Sequence, residues 1–114
     1  MTGIKNLDKS TVLHLKEQIA YQPGQVVSRT LAQNPYVSIT LFAFAEGEEI
    51  STHDSAGDAM VQVLEGTGRF TVGGEEHLVH AGEALVMPAG IPHAVFAPEA
   101  FKMLLTVVFP TQTN

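Results

Sequence analysis

Two histidines and their neighbours carry the chemistry this chain has to offer. His53 lies in 47-GEEISTHDSAGDAMVQVLEG-66 and His93 in 82-GEALVMPAGIPHAVFA-97. An imidazole can ligate a metal, move a proton near neutrality or hydrogen-bond a ligand. Ser55 adds a hydroxyl two residues after His53, and Asp54 and Asp58 add carboxylates. A lone histidine in an apolar strand is ordinarily a hydrogen-bonded wall residue, so the pair matters more than either member. No Ser-His-Asp arrangement can be defended from this spacing, and no residue is assigned as catalytic. The chain has no cysteine, which excludes disulfides, thiolate metal sites and thiol nucleophiles.

Lys102 is the other conspicuous residue, because it interrupts the apolar run 101-FKMLLTVVF-109 and a charge there needs a reason. Its stem can lie on apolar surface with the ammonium in water. The sharper expectation puts it at a cavity mouth, where it would attract a carboxylate or sugar acid. Arg29 and Arg69 are weaker candidates for the same role. His14, His77 and His80 read as solvated or interface residues, and Glu46, Glu48 and Glu49 as a solvated loop edge.

The elements that must position these groups are short strands. Turn signals recur at Pro23-Gly24, Asn34-Pro35, Glu46-Gly47, Glu65 to Gly68, Gly73-Gly74, Ala81-Gly82, Pro88 to Gly90 and Ala97-Pro98. Most are separated by the interval typical of antiparallel sandwiches and barrels. The runs between them are rich in Val, Ile, Thr, Leu and Phe, and Gly73-Gly74 predicts a two-residue hairpin. A helix-like stretch, VLHLKEQIAY, places Val12, Leu15 and Ile19 at helical spacing near the N-terminus, and a short arm fits it equally. The expected organisation is an N-terminal arm over 1–24 and an all-β barrel over 25–114.

Length and charge set the outer bounds. The 114 residues suffice for one domain. Their 45% hydrophobic and 16% charged composition predicts a folded chain. The net charge of −6 and the scattered basic residues argue against nucleic acid and anionic membrane as partners. No signal-peptide pattern is visible, and a cytoplasmic protein is expected. The run 101–109 is apolar on both faces, so its strand needs a second covering layer. A homodimer is one source of that layer and the N-terminal segment the other, with slight preference for the dimer.

The two histidine-bearing stretches resemble the two signature motifs of the cupin family. The first motif is a Gly, five residues, His-x-His, three or four residues, Glu, six residues and Gly; Gly47, His53 and Gly66 match it. Ser55 stands at the second His position and Ala59 at the Glu position. The second motif is a Gly, five residues, Pro-x-Gly, two residues, His, three residues and Asn. Gly82, Pro88, Gly90 and His93 match, with Ala97 at the Asn position.

The resemblance implies a cupin-type antiparallel β-barrel, or double-stranded jelly roll, whose lumen is lined by the faces carrying His53 and Ser55, Ala59 with Val61 and Val63, and His93 with Val95 and Ala97. It implies a divalent metal site of three His and one Glu, of which two positions survive. One weakly held or absent metal ion is therefore expected, on His53 and His93. Asp54 or Asp58 would serve as substitute ligand only if a bulge slips the strand alternation. A metal-free histidine pair, bonded to each other or to Ser55, is the other outcome.

Two functions follow from these residues. One is a module binding a small organic molecule, of the sugar or organic-acid class, through His53, Ser55, His93 and Lys102. The alternative is a metal-dependent enzyme of dioxygenase, isomerase or lyase type. A dimerising domain with a vestigial site is the third reading, and fold alone cannot choose among them.

Overall fold

Alternation of β-branched and aromatic residues between glycine turns folds residues 26–108 into a succession of short strands. The computed structural model describes residues 3–110. It contains β1 (Val26–Gln33), β2 (Val37–Phe44), β3 (Glu49–His53), β4 (Asp58–Glu65), β5 (Thr67–Val72), β6 (Glu75–His80), β7 (Ala84–Met87), β8 (His93–Phe96) and β9 (Phe101–Val108). They form two antiparallel sheets, a five-stranded one in the order β1-β2-β9-β4-β7 and a four-stranded one in the order β3-β8-β5-β6. The jelly-roll expectation is met. So is the hairpin: Gly73 and Gly74 both take positive φ, 57° and 86°, between the paired Val72 and Glu75, a combination that costs least without a Cβ. Gly66 turns β4 into β5 at φ 74°, and a Cβ there would collide with the Ala100 carbonyl.

The inner faces of the two sheets close on each other. In β9 the inward residues are Phe101, Met103, Leu105 and Val107; β4 contributes Ala59, Val61 and Val63. Phe44, Phe70 and Phe101 are fully buried and plug one end, with Phe101 stacked on Phe44 at 4.6 Å and edge-on to Phe70 at 6.1 Å. Toward the other end the side chains are aliphatic and smaller. The space they leave is the cavity described below.

The outer face of the five-stranded sheet is apolar too, and the N-terminal arm covers part of it. Ile19, Leu31, Leu41 and Ala43 form a second buried cluster, joined by Leu7, Leu15, Tyr21 and Leu104. Backbone and side-chain bonds pin the arm: Lys5 N–H to the Leu31 carbonyl at 2.7 Å, and the Asn6 amide to the Thr30 carbonyl at 2.8 Å. Much of the second layer that motivated a dimer is thus supplied within the chain. The expected helix reduces to one 3-10 turn, Leu15–Glu17. Leu15 and Ile19 do bury, but Val12 is 94% exposed, so no third anchor extends the apolar stripe a longer helix would need. No helix among the described residues is long and apolar enough to cross a membrane.

Candidate functional site

A cavity of about 270 Å³ lies between the sheets. Ile50, Ala59, Met87, Val95, Met103, Leu105 and Val107 give it an apolar wall, and His53, Asp54, Ser55 and His93 bring polar groups to it. The phenyl plug closes the barrel beyond Met103. Ala59, in register with Met87 across β4 and β7, leaves room where a larger side chain would fill the lumen.

A bulge places His53. Ile50 pairs with Val95 and His53 with His93, so Ser51 and Thr52 together stand opposite Ala94. Two residues against one shift the alternation by a step. Ile50 and His53, three residues apart, therefore both line the cavity. The irregularity expected within 53–58 occurs one step earlier, before His53. Asp54 and Ser55 follow the strand as a loop at the cavity edge. That loop is held to the Pro88–Gly90 turn by Gly90 N–H donating to the Ser55 carbonyl at 2.9 Å, while the Ser55 hydroxyl accepts Gly57 N–H at 3.2 Å.

The two rings meet edge to face with centroids 4.4 Å apart. His53 Nδ1 bonds the Ser51 carbonyl at 2.8 Å and His93 Nδ1 the Ile91 carbonyl at 3.2 Å. A carbonyl can only accept, so this network assigns the ring proton to Nδ1 in each case. Each neutral ring then keeps an acceptor lone pair on Nε2, fixed in direction by the other nitrogen's bond. His93 is buried at 4% exposure, and His53 is exposed at the rim. The rings do not use up their Nε2 atoms on Ser55.

Several candidates lie elsewhere. Asp58 faces away from the cavity and accepts Ala89 N–H at 2.8 Å, bracing the turn before His93. Strand β4 points its neighbour Ala59 inward instead, so Asp58 is not brought to the two histidines. Asp54 borders the cavity, yet among the described residues no group of three His, Cys, Asp or Glu side chains is placed to hold a metal ion. The divalent site implied by the family resemblance does not fit this residue set: two neutral imidazoles leave a doubly charged ion under-ligated and poorly compensated in an apolar barrel.

Lys102 also lies outside the cavity. Alternation turns it to the outer face of β9, opposite Met103, where the arm buries it. Its ammonium donates to the Lys16 carbonyl at 2.6 Å, lies 3.9 Å from Glu65 and sits 4.8 Å from the centre of the Tyr21 ring. Arg29 bonds the Gln18 carbonyl, again holding the arm. Arg69 stacks on Phe96 at 4.5 Å and pairs with Glu76 at 3.7 Å on the outside of the four-stranded sheet. His77 and His80 pair with Glu75 and Thr67, away from the cavity.

Sequence reasoning passed over Met87, Leu105 and Val107 as cavity residues. The odd-numbered inward row of 101–109 was readable and held the signal for Leu105, Val107 and Met103. Met87 carried a signal only through its pairing with Ala59, which no local pattern reports.

The comparisons agree with this architecture. The sequence pattern of the family described as the cupin domain matches residues 40–109. A conserved protein of unknown function from Streptococcus pyogenes is 45% identical, with 98% of each chain covered and a TM-score of 0.95. A cupin superfamily protein from Desulfitobacterium hafniense is 32% identical over 96% of this chain and 100% of its own, with a TM-score of 0.91. A salicylate 1,2-dioxygenase from Pseudoaminobacter salicylatoxidans shares the fold, at 20% identity, over 82% of this chain and 27% of its own, with a TM-score of 0.69. No functionally curated protein matches the chain. With its two motifs, its two facing antiparallel sheets and these relatives, the chain belongs to the cupin family.

Proposed function

We propose that this barrel binds one small, mostly hydrocarbon molecule whose polar end meets His53 and His93. The observation that carries the reading is the cavity itself: most of its lining is apolar, and its polar residues come from the paired His53 and His93 and from Asp54 and Ser55 beside them. Such pockets recognise a ligand by shape along the wall and by a few placed polar groups.

The polar end decides between the sugar and organic-acid classes. Neither Lys nor Arg lines the cavity, and Asp54 borders it. With Lys102 held under the arm, the reason for expecting a carboxylate is gone. The two Nε2 lone pairs are acceptors, so they favour a ligand with O–H or N–H donors. A polyhydroxylated sugar would leave hydroxyls unpaired against Val95, Val107 and Leu105, at a cost for each. A hydrocarbon bearing one or two hydroxyl or amine groups matches better.

Thermal shift tests this with cyclohexanol, phenol and hexanol beside the matching carboxylates. The alcohols are expected to raise Tm and the carboxylates to leave it unchanged. Ligand at a hundred times Kd adds about 2.7 kcal/mol, well within detection. No shift with any alcohol, or larger shifts with the carboxylates, would overturn the reading.

A further inference from the structure

Strand register puts a notch in one wall of the cavity. On the five-stranded sheet, Ala59 of β4 pairs with Met87 of β7 on one side and with Val107 of β9 on the other. All three are buried and line the cavity. The row therefore runs large, small, large, with only a methyl group projecting from its centre. The flanking backbones of β7 and β9 stand about 10 Å apart, two strand spacings.

The notch is local. At its next two inward positions β4 carries Val61 and Val63, both fully buried in the packed core. A β-branched residue suits this strand, and the strand departs from it at the position that opens onto the cavity.

From this row we infer that Ala59 floors a subsite for a single six-membered ring and is the residue that selects for it. The subsite rests on the hydroxyl- or amine-bearing hydrocarbon proposed above, and adds the shape of that hydrocarbon. His53 and His93 belong to the four-stranded sheet, and facing sheets stack about 10 Å apart. A ring seated over the Ala59 methyl spans the space between the sheets and presents its hydroxyl to the imidazoles of the other wall. The volume agrees. An apolar cavity of about 150 Å³ holds one benzene, so the cavity of about 270 Å³ takes one ring with a short substituent.

Isothermal titration calorimetry with cyclohexanol and 1-hexanol, on the parent chain, Ala59→Val and Ala59→Leu, tests the subsite. Each alcohol has six carbons and one hydroxyl, so the pair differs chiefly in shape. The parent is expected to bind both. Ala59→Val puts two further carbons into the notch and should weaken cyclohexanol at least about 10-fold, the scale of a methylene-sized change in an apolar pocket. Ala59→Leu should weaken it further. Hexanol is a narrow chain that can lie along the rest of the cavity, and it should keep most of its affinity in Ala59→Val. Both variants fill part of a cavity, a change that ordinarily stabilises a fold, so their Tm without ligand should match or exceed that of the parent.

Three results would overturn the subsite while leaving the ligand class standing: cyclohexanol bound by Ala59→Val as tightly as by the parent, both alcohols weakened by the same factor, or an Ala59→Val protein that melts well below the parent. The last would mean that position 59 is already close-packed. A parent chain that binds neither alcohol removes the ligand class, and the subsite with it.

Discussion

His93 and Lys102 are the buried polar residues among those described, at 4% and 9% exposure, and they sit on opposite sides of the five-stranded sheet's apolar layer. Around Lys102 every strong polar group is spoken for. The ammonium has the Lys16 carbonyl, Glu65 and the Tyr21 ring, and the Tyr21 hydroxyl donates to Glu65 at 2.5 Å. Around His93 one nitrogen is committed and the other is not, and His53 repeats the arrangement at 4.4 Å. A buried polar group that is fully satisfied holds a structure together. One with a spare atom beside a cavity is what the proposed ligand would meet.

That contrast breaks first at Lys102. Replacing Lys102 with Ala removes a charged hydrogen bond and strips the Lys16 carbonyl and Glu65 of their partner beneath the arm. A loss of about 2–3 kcal/mol is expected, or a fall in Tm of roughly 10 °C, by calorimetry. Binding in the cavity should survive at temperatures where the variant is folded. A Lys102→Ala variant of parental stability with lost alcohol binding would reverse the roles assigned to the two clusters.

Tyr21 sharpens the same side. Burial, the hydrogen bond to Glu65 and the nearby negative charges of Glu65 and Glu99 push its phenol well above the ordinary value. The folded state then holds this proton more tightly than the unfolded state does. Stability attached to it is complete below the unfolded pKa of about 10 and declines as pH rises above that. Tyr21→Phe should cost about 1 kcal/mol near neutrality, the worth of an ordinary hydrogen bond. It should also flatten the loss of stability measured by urea titration between pH 9.5 and 11. An unchanged alkaline slope would show that this proton is not coupled to docking of the arm.

Beyond the arm, among the described residues, the outer sheet face carries exposed apolar side chains. Register places Thr106, Met60 and Val86 in one row, and Val37 and Val108 in the next. Val86 and Val108 are 55% and 58% exposed. We infer that if two chains pair, this strip is where they meet, since the arm already covers the rest. Light scattering should then show a dimer that Val86→Asp converts to a monomer with its Tm at low concentration unchanged. A parent chain that is monomeric at micromolar concentration removes the inference.

The sequence showed more of the frame than of the site. Glycine turns and alternating runs placed the strands and the hairpin at Gly73-Gly74, because both are local patterns. The motif positions identified His53 and His93 as neighbours, and they are. Lys102 misled because alternation alone does not tell which face of a two-faced strand is the lumen; that depends on where the arm lies. The bulge at Ser51-Thr52 was also out of reach, since it is defined by two residues opposing Ala94 across a different strand. Met87 enters the cavity by the same kind of long-range pairing, with Ala59.

Among these buried and cavity groups, His53 carries the smallest expected effect on stability. It is exposed, its one bond is to a carbonyl two residues away, and β3 is paired through its backbone. His53→Ala should change unfolding free energy by no more than about 0.5 kcal/mol, as surface substitutions usually do. If the ring were part of the frame, as Lys102 is, the cost would be several times larger and ligand effects would simply follow the loss of fold. If its Nε2 is kept free for a ligand, the variant melts like the parent while the alcohol-induced shift disappears. Calorimetry with and without cyclohexanol reads both quantities in one experiment. A His53→Ala protein that keeps the full shift would leave His93 as the sole polar contact, and the paired arrangement at the rim would then have no part in binding.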